Sequence, residues 1–169
     1  MHGSDSGQAT GTTGSAQTTI EQAEYSRKVA EIEAKLEARQ DYLKNVLPKS
    51  SPIRIPGDAQ IKEEAKEGYD QVKYTWKTGD YKYESRWHTR TPNAPANQGD
   101  SWVVSRTVPG IGSGPNARQK KTEILVGKTD SGQNKWVDKK VWDAAVHARK
   151  NGTCTKEQKE MLDNGHWKA

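Results

Sequence analysis

The residues with the clearest chemical potential lie on a predicted β-hairpin in the middle of the chain. Arg86, His88 and Arg90 follow one another at two-residue spacing, which places them on one face of a strand. An imidazole exchanges protons near neutral pH, and guanidinium groups bind phosphate oxygens. Together with Ser101 on the next predicted strand, this set would form the catalytic group of a metal-independent ribonuclease, with His88 activating a ribose 2′-hydroxyl.

The same predicted face is basic, which indicates an anionic partner. The positive side chains expected to contact nucleic-acid phosphates are Lys73, Lys77, Lys82, Arg86, Arg90, Arg106, Arg118, Lys120 and Lys121. The sequence has no base-reading motif, so such binding would be non-specific and would weaken with salt. The alternative interpretation is an ordinary solvated sheet surface that carries a histidine.

Two further patterns predict no chemistry. Residues 110–114, GIGSG, resemble a phosphate loop but lack the Gly-Lys-Ser/Thr ending, and a flexible hairpin loop is the simpler interpretation. Cys154 is the only cysteine, and the histidines have no regular ligand spacing. The sequence therefore predicts no disulfide, no metal site and no cofactor.

Charge and aromatic residues divide the chain into two parts. The net charge is +5, with −2 in residues 1–69 and +7 in residues 70–169, and all six tryptophans follow residue 75. The first 19 residues are mainly Gly, Ser, Thr, Gln and Ala, which predicts a disordered tail. No signal peptide is recognisable and no apolar run is long enough for a bilayer. We expect no membrane partner and a location in a host cytoplasm or in a virion.

Residues 20–47 predict one long amphipathic helix. Thr18 and Thr19 are candidate caps, Arg39 interrupts the apolar stripe, and Pro48 ends the helix. The stripe alternates steps of three and four residues and consists of Val29, Ile32, Leu36, Leu43 and Val46. It indicates self-association, docking on another protein, or packing on the chain's own domain. Residues 48–69 predict a linker with a short helix over about 58–67.

From residue 70 the period of the pattern is two, which predicts strands. A hairpin over 72–88 would turn its aromatic residues towards a core, and further strands are expected at 101–108, at 121–126 and near Trp136. The last 35 residues predict a helical hairpin. The expected fold class is α+β: a long N-terminal helix, then a small twisted antiparallel sheet of four or five strands with a C-terminal helical hairpin, the basic domain covering 70–169.

Parts of this domain resemble a module at the C-termini of minor head (capsid) proteins of phages and prophages of Gram-positive bacteria. The residues that carry the likeness are RWHTRTPNAP at 86–95, QGDSWVV at 98–104, Arg106, Pro109-Gly110, TKEQ at 155–158, Leu162 and NGHWK at 164–168. The likeness spans about residues 74–169.

The resemblance implies a non-enzymatic, virion-associated protein. On this hypothesis helix 20–47 docks on other head proteins or on a second copy, and the basic domain lies near capsid or nucleic acid. Some proteins of this kind carry toxin-like C-terminal domains, which implies the alternative of a ribonuclease toxin that uses His88, Arg86, Arg90 and Ser101. A plain nucleic-acid-binding module is the third alternative.

Overall fold

The structure, a computed structural model, describes residues 8–169 of the chain, with side chains from residue 16 onward. The chain divides into two compact units, Met1–Leu43 and Lys44–Ala169. The first is helical and the second combines an antiparallel sheet with two helices. The predicted α+β class is confirmed.

The first unit consists of helix α1, Gln8–Asp41. The helix begins 12 residues before the predicted start, so residues 8–19 are not the tail that we expected, and residues 1–7 lie outside the described residues. Once nucleated, a helix gains one hydrogen bond per added residue, which carries it through a segment of weak propensity. A π-helical turn, Tyr42–Val46, and a 3₁₀ turn, Leu47–Ser50, follow. No helix of the described residues has both the length and the apolar character needed to cross a membrane.

The second unit is built on one antiparallel sheet with more strands than the four or five predicted. Six strands lie in chain order: β1 (Gln60–Lys66), β2 (Tyr69–Thr78), β3 (Tyr81–His88), β4 (Ser101–Val108), β5 (Lys121–Lys128) and β6 (Asn134–Asp138). The last strand, β7 (Trp167–Lys168), pairs with β4 beyond the point where β5 leaves it. The C-terminus is thereby held against the middle of the sheet.

Strand β1 replaces the short helix that we predicted over 58–67. Its residues include good helix formers, but the segment pairs along its full length with β2 through a tight turn at Glu67 and Gly68. Glu64 forms ion pairs with Lys62 and Lys66, two residues away on either side. The ladder of backbone hydrogen bonds to β2 outweighs the local helix propensity, a weak preference that tertiary context overrides.

The predicted helical hairpin is confirmed as α2 (Lys139–Lys150) and α3 (Lys156–Gly165). Asp138 caps α2, and Thr155 and Gln158 form the expected capping box of α3. Both helices pack on one side of the sheet, which we term the helix-covered face. The core between them and the sheet consists of Val103, Ile124, Val126, Trp142, Ala145 and Leu162.

The opposite side, which we term the aromatic face, carries Tyr74 and Trp102 in contact and almost fully buried. The segment predicted as a linker packs here: the Trp102 indole donates to the Ser50 hydroxyl at 2.9 Å, and the hydroxyls of Ser51 and Ser85 are 2.8 Å apart. The remaining hairpin aromatics are only half-buried, although we predicted them inside the core: Trp76, Tyr81, Tyr83 and Trp87.

Candidate functional site

A cavity of about 620 Å³ opens on the helix-covered face, between strands β2 and β3, helix α2 and the end of α3. We term it the histidine pocket because two of the chain's four histidines line it. Its ionisable and amide lining consists of Glu67, Tyr69, Gln71, Arg86, His88, Asn93, Asp143, Arg149, Lys150 and His166. The aromatic Trp142 and the aliphatic Val103 and Val146 form the apolar part of the wall.

His88 is the last residue of β3 and is only 3% exposed. Its Nδ1 lies 2.8 Å from the carbonyl oxygen of Thr89. Because a carbonyl only accepts hydrogen bonds, Nδ1 carries the proton and donates. Burial is the main cause that lowers the pKa of His88, and it outweighs the opposite effect of the Thr89 hydrogen bond. His88 is therefore neutral at physiological pH, with Nε2 as an acceptor.

His166 directly follows α3 and repeats this arrangement. Its Nδ1 donates to the carbonyl oxygen of Leu162 at 2.7 Å, which leaves Nε2 as the acceptor. Burial lowers the pKa of His166 to about 4. Its ring is 5.2 Å from that of Trp142 and stands perpendicular to the His88 ring, with the two imidazole centroids 5.6 Å apart.

Glycine at position 165 allows this close packing. A β-carbon there would lie 2.3 Å from the Trp142 ring, closer than atoms in real structures approach. The backbone of α3 therefore passes directly against Trp142, and the next residue, His166, lies in the pocket wall. Tyr69 also lines the pocket, and its ring centroid lies 6.2 Å from that of His88.

Two arginines bring positive charge to the pocket. Arg149 on α2 donates from Nη1 to the Gln98 amide oxygen at 3.3 Å, whereas its Nε is buried and has no hydrogen-bond partner in the described part of the chain. Arg86 on β3 lies 3.7 Å from Glu84, too far for a hydrogen bond. Both guanidinium groups therefore keep donors free for a ligand. A guanidinium binds anionic oxygens through several donors, so the two arginines favour an anion in the pocket.

Of the four residues predicted as catalytic, the structure brings two into the pocket, His88 and Arg86. Arg90 instead donates to the carbonyl oxygens of Pro95 and Ala94 at 3.0 and 2.6 Å and holds the loop after β3 in place. Ser101 is the cross-strand partner of His88, but it is fully buried and its hydroxyl faces the Gly99 carbonyl oxygen at 3.4 Å. Neither residue lines the pocket.

The residues predicted to contact nucleic acid are spread over both faces. Lys73 is opposite Arg86 and Lys77 is opposite Lys82 in the pairing of β2 with β3, so these four share the helix-covered face, as the periodicity predicts. Two further cavities on that side are lined by Lys120, and one of them also by Lys121.

Arg106 and Arg118 lie elsewhere. The Arg106 guanidinium sits between the rings of Tyr81 and Trp136, at 4.5 and 4.1 Å from their centroids, and donates to Glu123 at 3.0 Å on the aromatic face. Arg118 closes the glycine-rich loop through a backbone bridge to Ile111. Both positions indicate structural contacts.

Sequence reasoning missed the half of the pocket that comes from the last third of the chain and from the start of β2: Tyr69, Arg149, Lys150 and His166. His166 belongs to the NGHWK run that carries part of the resemblance, which was the only signal for it in the sequence. Among the described residues, no group of three or more His, Cys, Asp or Glu side chains is placed to hold a metal ion.

Comparisons with protein-family models, with curated proteins and with solved structures found no match for this chain.

Proposed function

We propose that this protein cleaves RNA in the histidine pocket, without a metal ion, by attack of a ribose 2′-hydroxyl on the adjacent phosphate. The observation that carries the proposal is the pair of imidazoles, His88 and His166, in one cavity with two arginines that have free donors. Each ring has its Nδ1 fixed by a backbone carbonyl and its Nε2 free of partners among the described residues. This orientation prepares both rings for proton transfer.

In the proposed reaction the Nε2 of His88 takes the proton of the 2′-hydroxyl, and the 2′-oxygen forms a bond to phosphorus. The bond from phosphorus to the 5′-oxygen of the next nucleotide breaks, and that oxygen takes a proton from the second imidazole, His166, in its protonated form. The products are a 2′,3′-cyclic phosphate and a 5′-hydroxyl. No water, oxidant or metal enters the balance of this step.

The pKa values fit a site that becomes active when it binds an anion. In the free pocket burial lowers the pKa of both imidazoles, so a base is available and an acid is not. A phosphodiester carries a negative charge, and an opposite charge within a few ångströms raises the pKa of a histidine. Substrate binding would therefore favour protonation of His166 at the moment when the leaving oxygen needs a proton.

The arginines stabilise charge that develops on the phosphate. The transition state has more negative charge on the non-bridging oxygens than the ground state, and Arg149 and Arg86 supply donors for them. Such donors contribute more where water is partly excluded, and the neighbouring His88 is only 3% exposed.

The test is RNA cleavage in excess EDTA by the wild type, by His88→Asn and by the matched control His147→Asn. His147 is on α2 but is exposed and does not line the pocket. Asparagine retains a donor near the Nδ1 position and removes Nε2, so folding is expected to survive. We expect cleavage by the wild type and the control, and a loss of about 100- to 10,000-fold in His88→Asn.

Absence of cleavage by the wild type would contradict the proposal, and so would full activity of a folded His88→Asn variant. Far-ultraviolet circular dichroism and a thermal unfolding curve establish that each variant is folded. The control His147→Asn shows whether the loss of a surface histidine by itself changes the rate of cleavage.

A second candidate function concerns the first unit, and we propose it beside the first: helix α1 docks the chain on virion head proteins or on a second copy, and the chain then travels with the virion. The exposed apolar side chains of α1 support it. Ile32 and Leu36 are 58% and 57% exposed, one helical turn apart, and Tyr25 continues the stripe. Single exposed apolar residues are ordinary, but a row of them on one side of a helix favours association.

Sedimentation of the wild type and of Ile32→Glu over a range of concentrations tests the self-association form of this candidate. We expect concentration-dependent dimers for the wild type and monomers for the variant. A wild type that stays monomeric throughout would contradict self-association.

A further inference from the structure

A second cavity lies at the other end of the helix-covered face, where β2 and β3 meet their turn. It has a volume of about 520 Å³ and is lined by three lysines from three segments, Lys77, Lys82 and Lys120. Ser105 and Thr107 also line it. We term this cavity the lysine groove.

Two carboxylates, Asp80 and Glu84, also line the lysine groove, but among the described residues neither forms an ion pair with its lysines. Lys77 and Lys82 are direct cross-strand partners, an arrangement of like charges that destabilises a sheet. In the part of the chain that the structure describes, no carboxylate lies within ion-pair distance of Lys77, Lys82 or Lys120. The nearby Glu84 instead pairs with Lys73 and Arg86, on the side towards the histidine pocket.

The fold brings these three lysines together although the repulsion between Lys77 and Lys82 destabilises the sheet. This favours a role for the cluster. Lys120 reaches the groove from the end of a long loop after β4, and Gly110 at the start of that loop lets the two segments touch. A β-carbon on Gly110 would lie 2.9 Å from the Arg118 carbonyl oxygen and 3.3 Å from the Lys120 amide nitrogen. The close approach of these backbones fixes Lys120 opposite the lysines of the hairpin.

We propose that the lysine groove is a phosphate-binding subsite for a single-stranded polynucleotide, which holds the strand that flanks the phosphate in the histidine pocket. The position of the polynucleotide relative to a cleaved phosphate rests on the proposed function, whereas its binding to the groove does not. A backbone phosphate between Lys77 and Lys82 would remove their repulsion and would accept hydrogen bonds from both.

The two cavities are close enough for one strand to occupy both. Arg86 in the histidine pocket and Lys82 in the lysine groove are on the same strand and face, four residues apart. At the usual rise of a β-strand this separation is about 13 Å, which a short stretch of nucleic acid spans. Lys73 lies on the neighbouring strand directly opposite Arg86, at the same level of the sheet.

The test uses an oligodeoxyribonucleotide, which has no 2′-hydroxyl and so binds without being cleaved by the proposed reaction. Fluorescence anisotropy measures its affinity at several salt concentrations for the wild type, for the double variant Lys77→Ala/Lys82→Ala and for the control Lys156→Ala. Lys156 is exposed at the start of α3 and lines neither cavity. Loss of two phosphate contacts should weaken binding and reduce the slope of log K against log salt by about 1.4, since each contact on a single strand contributes about 0.7.

Affinity and salt slope equal to the wild type in the folded double variant would overturn the proposal. A second measurement is the dependence of KM for RNA on substrate length: in the wild type KM should fall from a dinucleotide to a hexanucleotide, and the double variant should lose most of that gain. If no variant and no wild type cleaves RNA while the binding difference persists, the proposed function fails and the subsite stands. If RNA is cleaved but length has no effect on KM, the subsite fails and the proposed function stands.

Discussion

The histidine pocket and the lysine groove lie on the same face of the same two strands, and they differ in what holds their side chains. His88 is buried, His166 is half-buried, and both are tied to backbone carbonyls, whereas Lys77 and Lys82 are exposed and without an ion-pair partner in the described residues. Fixed, desolvated groups suit chemistry, which requires geometry. Flexible, solvated ammonium groups suit the binding of a polyanion, which requires charge.

The cause of this difference is where the two helices stop. Helices α2 and α3 pack on the sheet over Val103, Ile124 and Val126, so the neighbouring part of β3 is shielded from solvent and its side chains form a pocket wall. The turn end of the hairpin extends beyond the helices, and its lysines face water. One alternating strand therefore provides a buried imidazole at one end and a charged surface at the other.

The largest effect that separates the two regions is expected at Arg149. Removal of a donor that stabilises a developing charge costs about 100- to 1,000-fold in kcat, so on the proposed function Arg149→Ala should lose about that much in RNA cleavage. Arg149→Lys should recover only part, because lysine lacks the planar fork. Steady-state kinetics of both variants, with the exposed Arg54→Ala as control, provide the measurement. If only KM changed, Arg149 would contribute to substrate binding, as the lysines of the groove do, and not to stabilisation of the transition state.

A pH-dependent effect on stability is expected from the burial of His166. Its pKa is lowered from 6.5 to about 4 in the folded protein. Above pH 6.5 both the folded and the unfolded states are neutral; as the pH falls towards 4, the unfolded chain binds a proton that the folded chain does not. The unfolding free energy should therefore fall by about 3 kcal/mol across this window, because each tenfold difference in proton affinity between the two states corresponds to about 1.4 kcal/mol.

Urea denaturation at several pH values measures this loss. His166→Gln should reduce the difference between pH 6.5 and pH 4, while His147→Gln, at an exposed position, should leave it unchanged. An identical pH dependence in the wild type and in His166→Gln would show that the imidazole is solvated, and the contrast between the pocket and the groove would then be lost.

A smaller effect is expected from Gly165→Ala. The new β-carbon would meet the Trp142 ring at 2.3 Å, and overpacking of a core contact usually costs about 1–3 kcal/mol. The matched control is Gly57→Ala, which has open space around it and should change stability by less than about 0.5 kcal/mol. Denaturant unfolding compares the two variants. Equal stability would show that Trp142 yields without cost and that the pocket wall is not rigid.

The central hairpin was predictable because its information is local. The alternation over β2 and β3 and the turn at Gly79 define the register in which Lys73 faces Arg86. Strand β1 was not predictable in the same way, because its helix-forming residues become a strand only through pairing with β2. The half-burial of Trp76 and Tyr83 also depends on where the helices and the segment after α1 pack. Alternation of residues along a strand carries no information on that packing.

The candidate site likewise has a part that local periodicity predicts and a part that it does not. Periodicity alone placed Arg86 and His88 on one face, and the structure brings both into the pocket. The same reasoning extended to Arg90 fails because β3 ends at His88, after which the chain turns and alternation no longer holds. His166 is 78 positions beyond His88 in the sequence and reaches it only because α2 and α3 fold back over the sheet. No local pattern encodes that contact.

The most direct measurement of the central claim is the product formed from a DNA oligonucleotide that contains one ribonucleotide, incubated with the protein in EDTA. The proposed reaction needs one 2′-hydroxyl and no metal, so we expect a single cut after the ribonucleotide, a 2′,3′-cyclic phosphate on one fragment and a 5′-hydroxyl on the other by mass spectrometry. An uncut oligonucleotide, or equal cutting of the same sequence made entirely of DNA, would contradict the account.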